Sequence, residues 1–214
     1  MRSVPFQKAG WRAAWKEKAF RRKCIFLMLY VPALILSLNP FFVYIQQREG
    51  AVLYDPLLPA IPAADVSAYL FPLIYLSITV AVISLMEAPH RLLRLVLAAA
   101  LVYTLRILTI GLVPLDPPAG CIPLSDPLVK HLAYNSAVIT KDLFFSGHTS
   151  IMLLLCLSAV RNRLKWLFGA CLGVVIILLL IQHIHYTIDI LGAFFFAWVC
   201  WRISGISLRF RSPA

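Results

Sequence analysis

The chain has 214 residues, 61% hydrophobic and 14% charged, with a mean hydropathy of +0.85 and a formal net charge of +11. This balance excludes an ordinary soluble domain and makes a bilayer the natural solvent. Its five cysteines give neither a disulfide framework nor a zinc spacing: Cys24, Cys156, Cys171 and Cys200 fall in or beside apolar runs, and only Cys121 sits in a polar loop.

From the amino terminus, residues 1–23 carry Arg2, Lys8, Arg12, Lys16, Lys18, Arg21, Arg22 and Lys23 against Glu17 alone. This basic amphipathic segment adjoins an apolar run and lacks a binding fold, so a nucleic-acid partner is not expected. It reads as a cytoplasmic topology signal, or as a helix over 5–19 whose Trp11 and Trp15 lie along an anionic leaflet. A cleaved signal peptide is not expected, because the first apolar run begins only after Lys23 and has the length of a full span.

Crossing a hydrocarbon core of roughly 30 Å takes roughly 20 residues of helix. Six segments are assigned as spans, near 24–46, 66–87, 91–113, 145–161, 165–184 and 187–205. Runs such as Ile176 to Ile181 show no alternation, so the spans are helices and not barrel strands. Basic residues mark alternate connections: Arg91 and Arg94, then Arg161, Arg163 and Lys165, then Arg202, Arg209 and Arg211 in the tail. The expected fold is an all-α bundle of six transmembrane helices with both termini cytoplasmic. It comprises a catalytic membrane domain over 24–205 and a tail over 206–214. The opposite, exoplasmic loops hold Asp55, Asp65, Asp116, Asp126 and Asp142. Asp65, Asp116 and Asp126 read as solvated loop residues or as head-group contacts.

Ionisable residues in or at the ends of spans point to function. Arg106, inside the third span, must face the bundle interior; its planar fork suits a phosphate, or an ion pair with an acid such as Asp142 or Asp189. Before the fourth span, Ser146 is placed to cap a helix, Gly147 allows close approach of a substrate, and His148 falls in the first turn, where free amides attract an anion. Between the fifth and sixth spans, His185 and Asp189 are four residues apart and share a helical face. Asp189 can accept a proton-bearing ring nitrogen of His185, leaving the other nitrogen as a nucleophile. A short turn at 161–165 returns the chain, so His148 and His185 are expected at one depth, in one exoplasmic pocket. Metal binding is the rival chemistry for these three residues. The HExxH pattern is absent, and neither metal nor cofactor is expected.

At these residues the chain resembles the sphingomyelin synthase branch of the lipid phosphate phosphatase and phosphotransferase superfamily. Asp142 to Thr149 matches Asp-x3-Ser-Gly-His-Thr; His185 to Asp189 matches His-Tyr-Thr-x-Asp, with His183 before it; Arg94, Tyr103 and Arg106 match an earlier arginine and tyrosine motif. The resemblance covers roughly residues 60 to 205. It departs at Thr140-Lys141, where the family has Cys-Gly, and at Leu93-Arg94, where it has two arginines. It implies that His185 attacks a phospholipid phosphorus, aided by Asp189, while His148 protonates the departing diacylglycerol. Arg106, Asp142, Ser146, Gly147 and Tyr186 are then the candidate substrate contacts. The head group, phosphoethanolamine or phosphocholine, passes from a phosphohistidine to a lipid alcohol such as ceramide. With water as acceptor, the same residues make a phospholipase C or a lipid phosphatase. A transporter or non-enzymatic lipid binder is the reading of another class, resting on the intramembrane Arg106.

Overall fold

An apolar backbone pairs its own polar groups most simply as helix, and helices carry the computed structural model, which describes residues 10–125 and 139–207. Among these residues there are seven α-helices: α1 Trp11–Lys16, α2 Lys18–Gln47, α3 Ser67–Leu85, α4 Pro89–Leu112, α5 Gly147–Ser158, α6 Asn162–Ile181 and α7 Thr187–Ser207. A 3-10 turn, Leu58–Ala60, lies between α2 and α3, and a lone bridge joins Ala51 to Leu115. Asp126, the basic residues before position 10 and the tail from position 208 lie outside the described residues.

Five of these helices, α2, α3, α4, α6 and α7, are long and apolar enough to cross a membrane, the character of an integral membrane protein. Their ends fall close to the predicted spans except that α2 begins at Lys18, so its first turns are basic. The fourth predicted span departs from expectation. Instead of 145–161, helix α5 has 12 residues, which gives about 18 Å, short of a bilayer core. Its apolar lead-in, Leu143 to Phe145, is not helical, with Leu143 and Phe145 buried and Phe144 half-buried. Hydropathy alone does not separate these two states.

Short as it is, α5 is the centre of the fold, touching α3, α4, α6 and α7, while α2 packs outside on α4. Met152, Leu154 and Leu155 of α5 meet Val102 of α4, Val175 and Leu179 of α6, and Ala193 and Ala197 of α7 in one core. Gly192 on α7 lets the lead-in to α5 come close: a Cβ there would stand 3.1 Å from the Phe144 ring. At the far end, α1 folds back on the α3–α4 turn. Trp11 Nε1 donates to the Met86 carbonyl at 2.6 Å, and Phe20 packs against Trp11, Trp15 and His90. His90 in turn faces Glu17 at 3.1 Å.

Candidate active site

Residues 139–146 run inward without helix, and irregular backbone inside a membrane protein persists only where other groups satisfy it. Side chains do so here. Gln46 Oε1 accepts from the amides of Thr140 and Lys141 at 3.1 and 3.4 Å. Thr109 donates to the Phe144 carbonyl at 3.1 Å, and Arg106 Nε donates to that of Phe145 at 2.8 Å. The Ser146 amide reaches the Asp189 carbonyl at 3.0 Å. The chain then enters α5, where Ser146 Oγ caps the helix by accepting from the Thr149 amide at 3.3 Å. His148 is thereby fixed in the first turn, with the Phe71 ring edge-on to it at 6.1 Å.

Arg106 is buried and forms an ion pair with Asp142 at 2.8 Å. The carboxylate partner named for Arg106 from the sequence is thus Asp142 and not Asp189. This geometry also explains Gly147. A Cβ there would stand 2.5 Å from Arg106 Nη1, so the close approach that glycine permits is that of the guanidinium. Tyr103 lies near, its ring centroid 5.8 Å from Arg106 Cζ. Arg94, the first member of the same motif, is twelve residues earlier on α4, about 18 Å along the axis. The arginine motif therefore does not gather in one place.

The second half of the site comes from the α6–α7 connection. Contrary to expectation, His185 is not on a helix: α7 starts at Thr187, and His183 turns the chain with φ +53°. Asp189 is the third residue of α7, and its Oδ2 reaches back to the Tyr186 amide at 3.0 Å, the return bond of a capping box. That same oxygen faces His185 Nδ1 at 3.4 Å. Both groups are buried, His185 at 2% exposure and Asp189 at 0%. Asp189 Oδ1 and Thr149 Oγ1 are buried without a hydrogen-bond partner among the described residues.

The two histidine rings meet with centroids 6.4 Å apart and planes inclined at 62°. Rings this close can address the two sides of one substrate group, a near-attack contact of about 3–3.5 Å on one side and a proton-transfer contact of about 2.6–3.2 Å on the other. One tetrahedral centre fits such an arrangement.

What sequence reasoning missed is the frame around His185. Its neighbours are tied to the two loops at this end of the bundle. Gln182 accepts from the Val66 amide at 3.0 Å and donates to Ser67 Oγ at 2.9 Å. The His183 ring nitrogens face the carbonyls of Ala119 at 3.1 Å and Ile61 at 2.9 Å. The Tyr186 hydroxyl donates to the Asp116 carbonyl at 2.9 Å and accepts from the Leu53 amide at 3.2 Å. Thr187 binds Asp55 through both its amide, at 2.6 Å, and its hydroxyl, at 3.0 Å. A hollow of about 440 Å³ lies outside this layer, lined by Leu53, Tyr54, Leu57, Ile188 and Leu191 among others.

Of the acidic set, Asp65 accepts from the amide of Ser67 at 3.0 Å and from Gln182 at 3.2 Å. Asp116 pairs with Lys141 at 2.6 Å. The Lys141 hydrogen bond holds the Asp116 carboxyl below the usual carboxylate range. Burial alone would raise Asp55, but the donors on Thr187, Leu57 and Leu58 outweigh it and its carboxyl is held low. Among the described residues, no group of three or more His, Cys, Asp or Glu side chains is arranged to hold a metal ion.

No curated protein matches the chain. Residues 141–206 match the family model described as PAP2 superfamily C-terminal. The matched stretch contains Asp142, His148, His185 and Asp189, and so covers both halves of the site while leaving out Arg106 and the loops that frame it. This match shows a likeness of that stretch to the PAP2 superfamily.

Proposed function

We propose that the protein is a membrane phosphotransferase that moves a phosphoethanolamine or phosphocholine head group from a phospholipid to a lipid alcohol such as ceramide. The observation that carries this reading is the meeting of His148 and His185 with ring centroids 6.4 Å apart, with Asp189 3.4 Å from Nδ1 of His185. In the first step His185 Nε2 attacks phosphorus, the bond from phosphorus to the diacylglycerol oxygen breaks, and His148 gives that oxygen a proton. In the second step the acceptor oxygen attacks phosphorus, its proton passes to His148, and the nitrogen–phosphorus bond breaks. Asp189 keeps the Nδ1 proton of His185 in place through both steps. Arg106 and Asp142 support the His148 turn from below. The positive-inside bias of the loops supports an exoplasmic site, periplasmic or luminal.

Hydrolysis on the same residues is the second reading, and the PAP2 match supports it equally. The test uses purified protein in vesicles containing head-group-labelled phospholipid. Diacylglycerol should appear, and added ceramide should acquire the label. Label in water-soluble product alone would replace transfer by hydrolysis, and full turnover in His185→Ala would end the nucleophile assignment.

A further inference from the structure

The buried carboxylate of Asp55 has no part in the steps above, yet four donors converge on it. Its Oδ2 takes the Thr187 amide at 2.6 Å; its Oδ1 takes the Thr187 hydroxyl at 3.0 Å and the amides of Leu57 and Leu58 at 2.9 and 3.3 Å. Two of these bonds are local and set the turn before Leu58–Ala60. The other two cross to the first residue of α7.

We propose that Asp55 is a positioning residue for the reaction, holding the start of α7 so that Asp189 keeps His185 aligned on the substrate phosphorus; this rests on the function proposed above. A helix start leaves its first amides without partners inside the helix. At α7 they are divided between two carboxylates. Asp189 takes the amide of Tyr186, and Asp55, reaching from another loop, takes that of Thr187. The peptide between these two amides belongs to Tyr186, directly after His185. Both ends of the Asp189 to His185 contact therefore hang from a backbone that Asp55 pins.

The pin is well suited to that role. Asp55 is 8% exposed, so its bonds compete little with water. Its charge is favoured by the donors around it, and a charged acceptor roughly doubles the strength of an amide hydrogen bond. The His185 to Asp189 contact is long, 3.4 Å, and thus sensitive to small shifts of the helix start. A shift of about 1 Å in a reacting group can cost about 100-fold in rate.

The experiment compares Asp55→Ala, Asp55→Asn and Asp189→Asn in the full chain, together with the double variant Asp55→Ala/Asp189→Asn. Diacylglycerol release is followed in vesicles, and folding is checked by thermal unfolding in detergent. Asp55→Ala should lower kcat by about 100-fold with KM within about twofold, and the double variant should be no slower than Asp189→Asn alone, because both changes break one chain of contacts. Asp55→Asn keeps an acceptor for the Thr187 amide and should recover part of the rate, which also covers the case in which Asp55→Ala does not fold. Multiplying effects in the double variant, or an unchanged kcat in a folded Asp55 variant, would overturn the proposal.

A second readout does not need turnover. The 15N spectrum of the imidazoles reports which ring nitrogen carries the proton, and His185 should be protonated on Nδ1 in the unaltered protein. That preference should fade in Asp55→Ala. Its persistence there would overturn the positioning role even if the enzyme released no diacylglycerol, a result that would instead count against the proposed function.

Discussion

Helix α4 carries Arg91 and Arg94 near its start and Arg106 near its other end, and Arg94 and Arg106 have opposite surroundings. Arg106, at the histidine end, meets a carboxylate, a backbone carbonyl and the backbone of Gly147. Arg94, at the other end, lies 3.8 Å from the Trp201 ring, donates to the Trp201 carbonyl at 2.8 Å, and passes where a Cβ at Gly205 would stand 2.5 Å away. One guanidinium is held by charge and supports a turn next to two histidines. The other is held by an aromatic face where α4 meets the end of α7. A shared sequence motif and a shared helix do not make a shared role; the partners decide it.

The largest effect that would sharpen this contrast is at the histidines themselves. His185→Ala should cut diacylglycerol release by about 1000-fold or more, measured on protein shown to unfold cooperatively. Arg106→Ala comes next. Leaving Asp142 without its partner should cost about 3 kcal/mol of stability, read by denaturant unfolding in detergent, and should lower kcat as well because the His148 turn loses its support. Arg94→Gln should cost about 1 kcal/mol and leave kcat within about twofold. If Arg94→Gln abolished turnover while Arg106→Ala did not, the contrast would be inverted.

Acid supplies the smallest expected effect and a further division between the two ends. Asp55 and Asp116 both have lowered pKa values in the fold, so their contribution is fully present above the unfolded carboxyl value near 4 and is lost as pH falls through the folded values. The histidine end should therefore keep its loops docked at pH 5 and loosen them only below about pH 4. Hydrogen exchange at the Thr187 amide, followed against an amide of α2, would show whether this end opens first. Lys141→Met should move that opening to higher pH, by removing the donor that holds Asp116 low.

The sequence marked the two histidine segments because each carries its meaning locally. Ser146 before Gly147 and His148 announces a helix start, and the spacing of His185 and Asp189 survives as a contact even though His185 precedes its helix. The frame was not legible for the opposite reason. Asp55 and Thr187 lie 132 residues apart, and Leu53 and Tyr186 lie 133 apart. Nothing in either neighbourhood names the other. Arg106 lay between: its burial followed from its place in an apolar run, whereas the choice between Asp142 and Asp189 as its carboxylate partner depended on where residues 139–146 entered the bundle.

The brevity of α5 has a consequence for biogenesis. With 12 residues it offers the insertion machinery too little apolar length to partition into lipid by itself. Helix α6 follows after a turn of three residues, Ala159 to Arg161, and has 20 residues. Entry as one hairpin, with α6 carrying α5 into place, is the expected route, and a charge introduced into the middle of α6 should keep α5 from docking and lower the yield of folded protein.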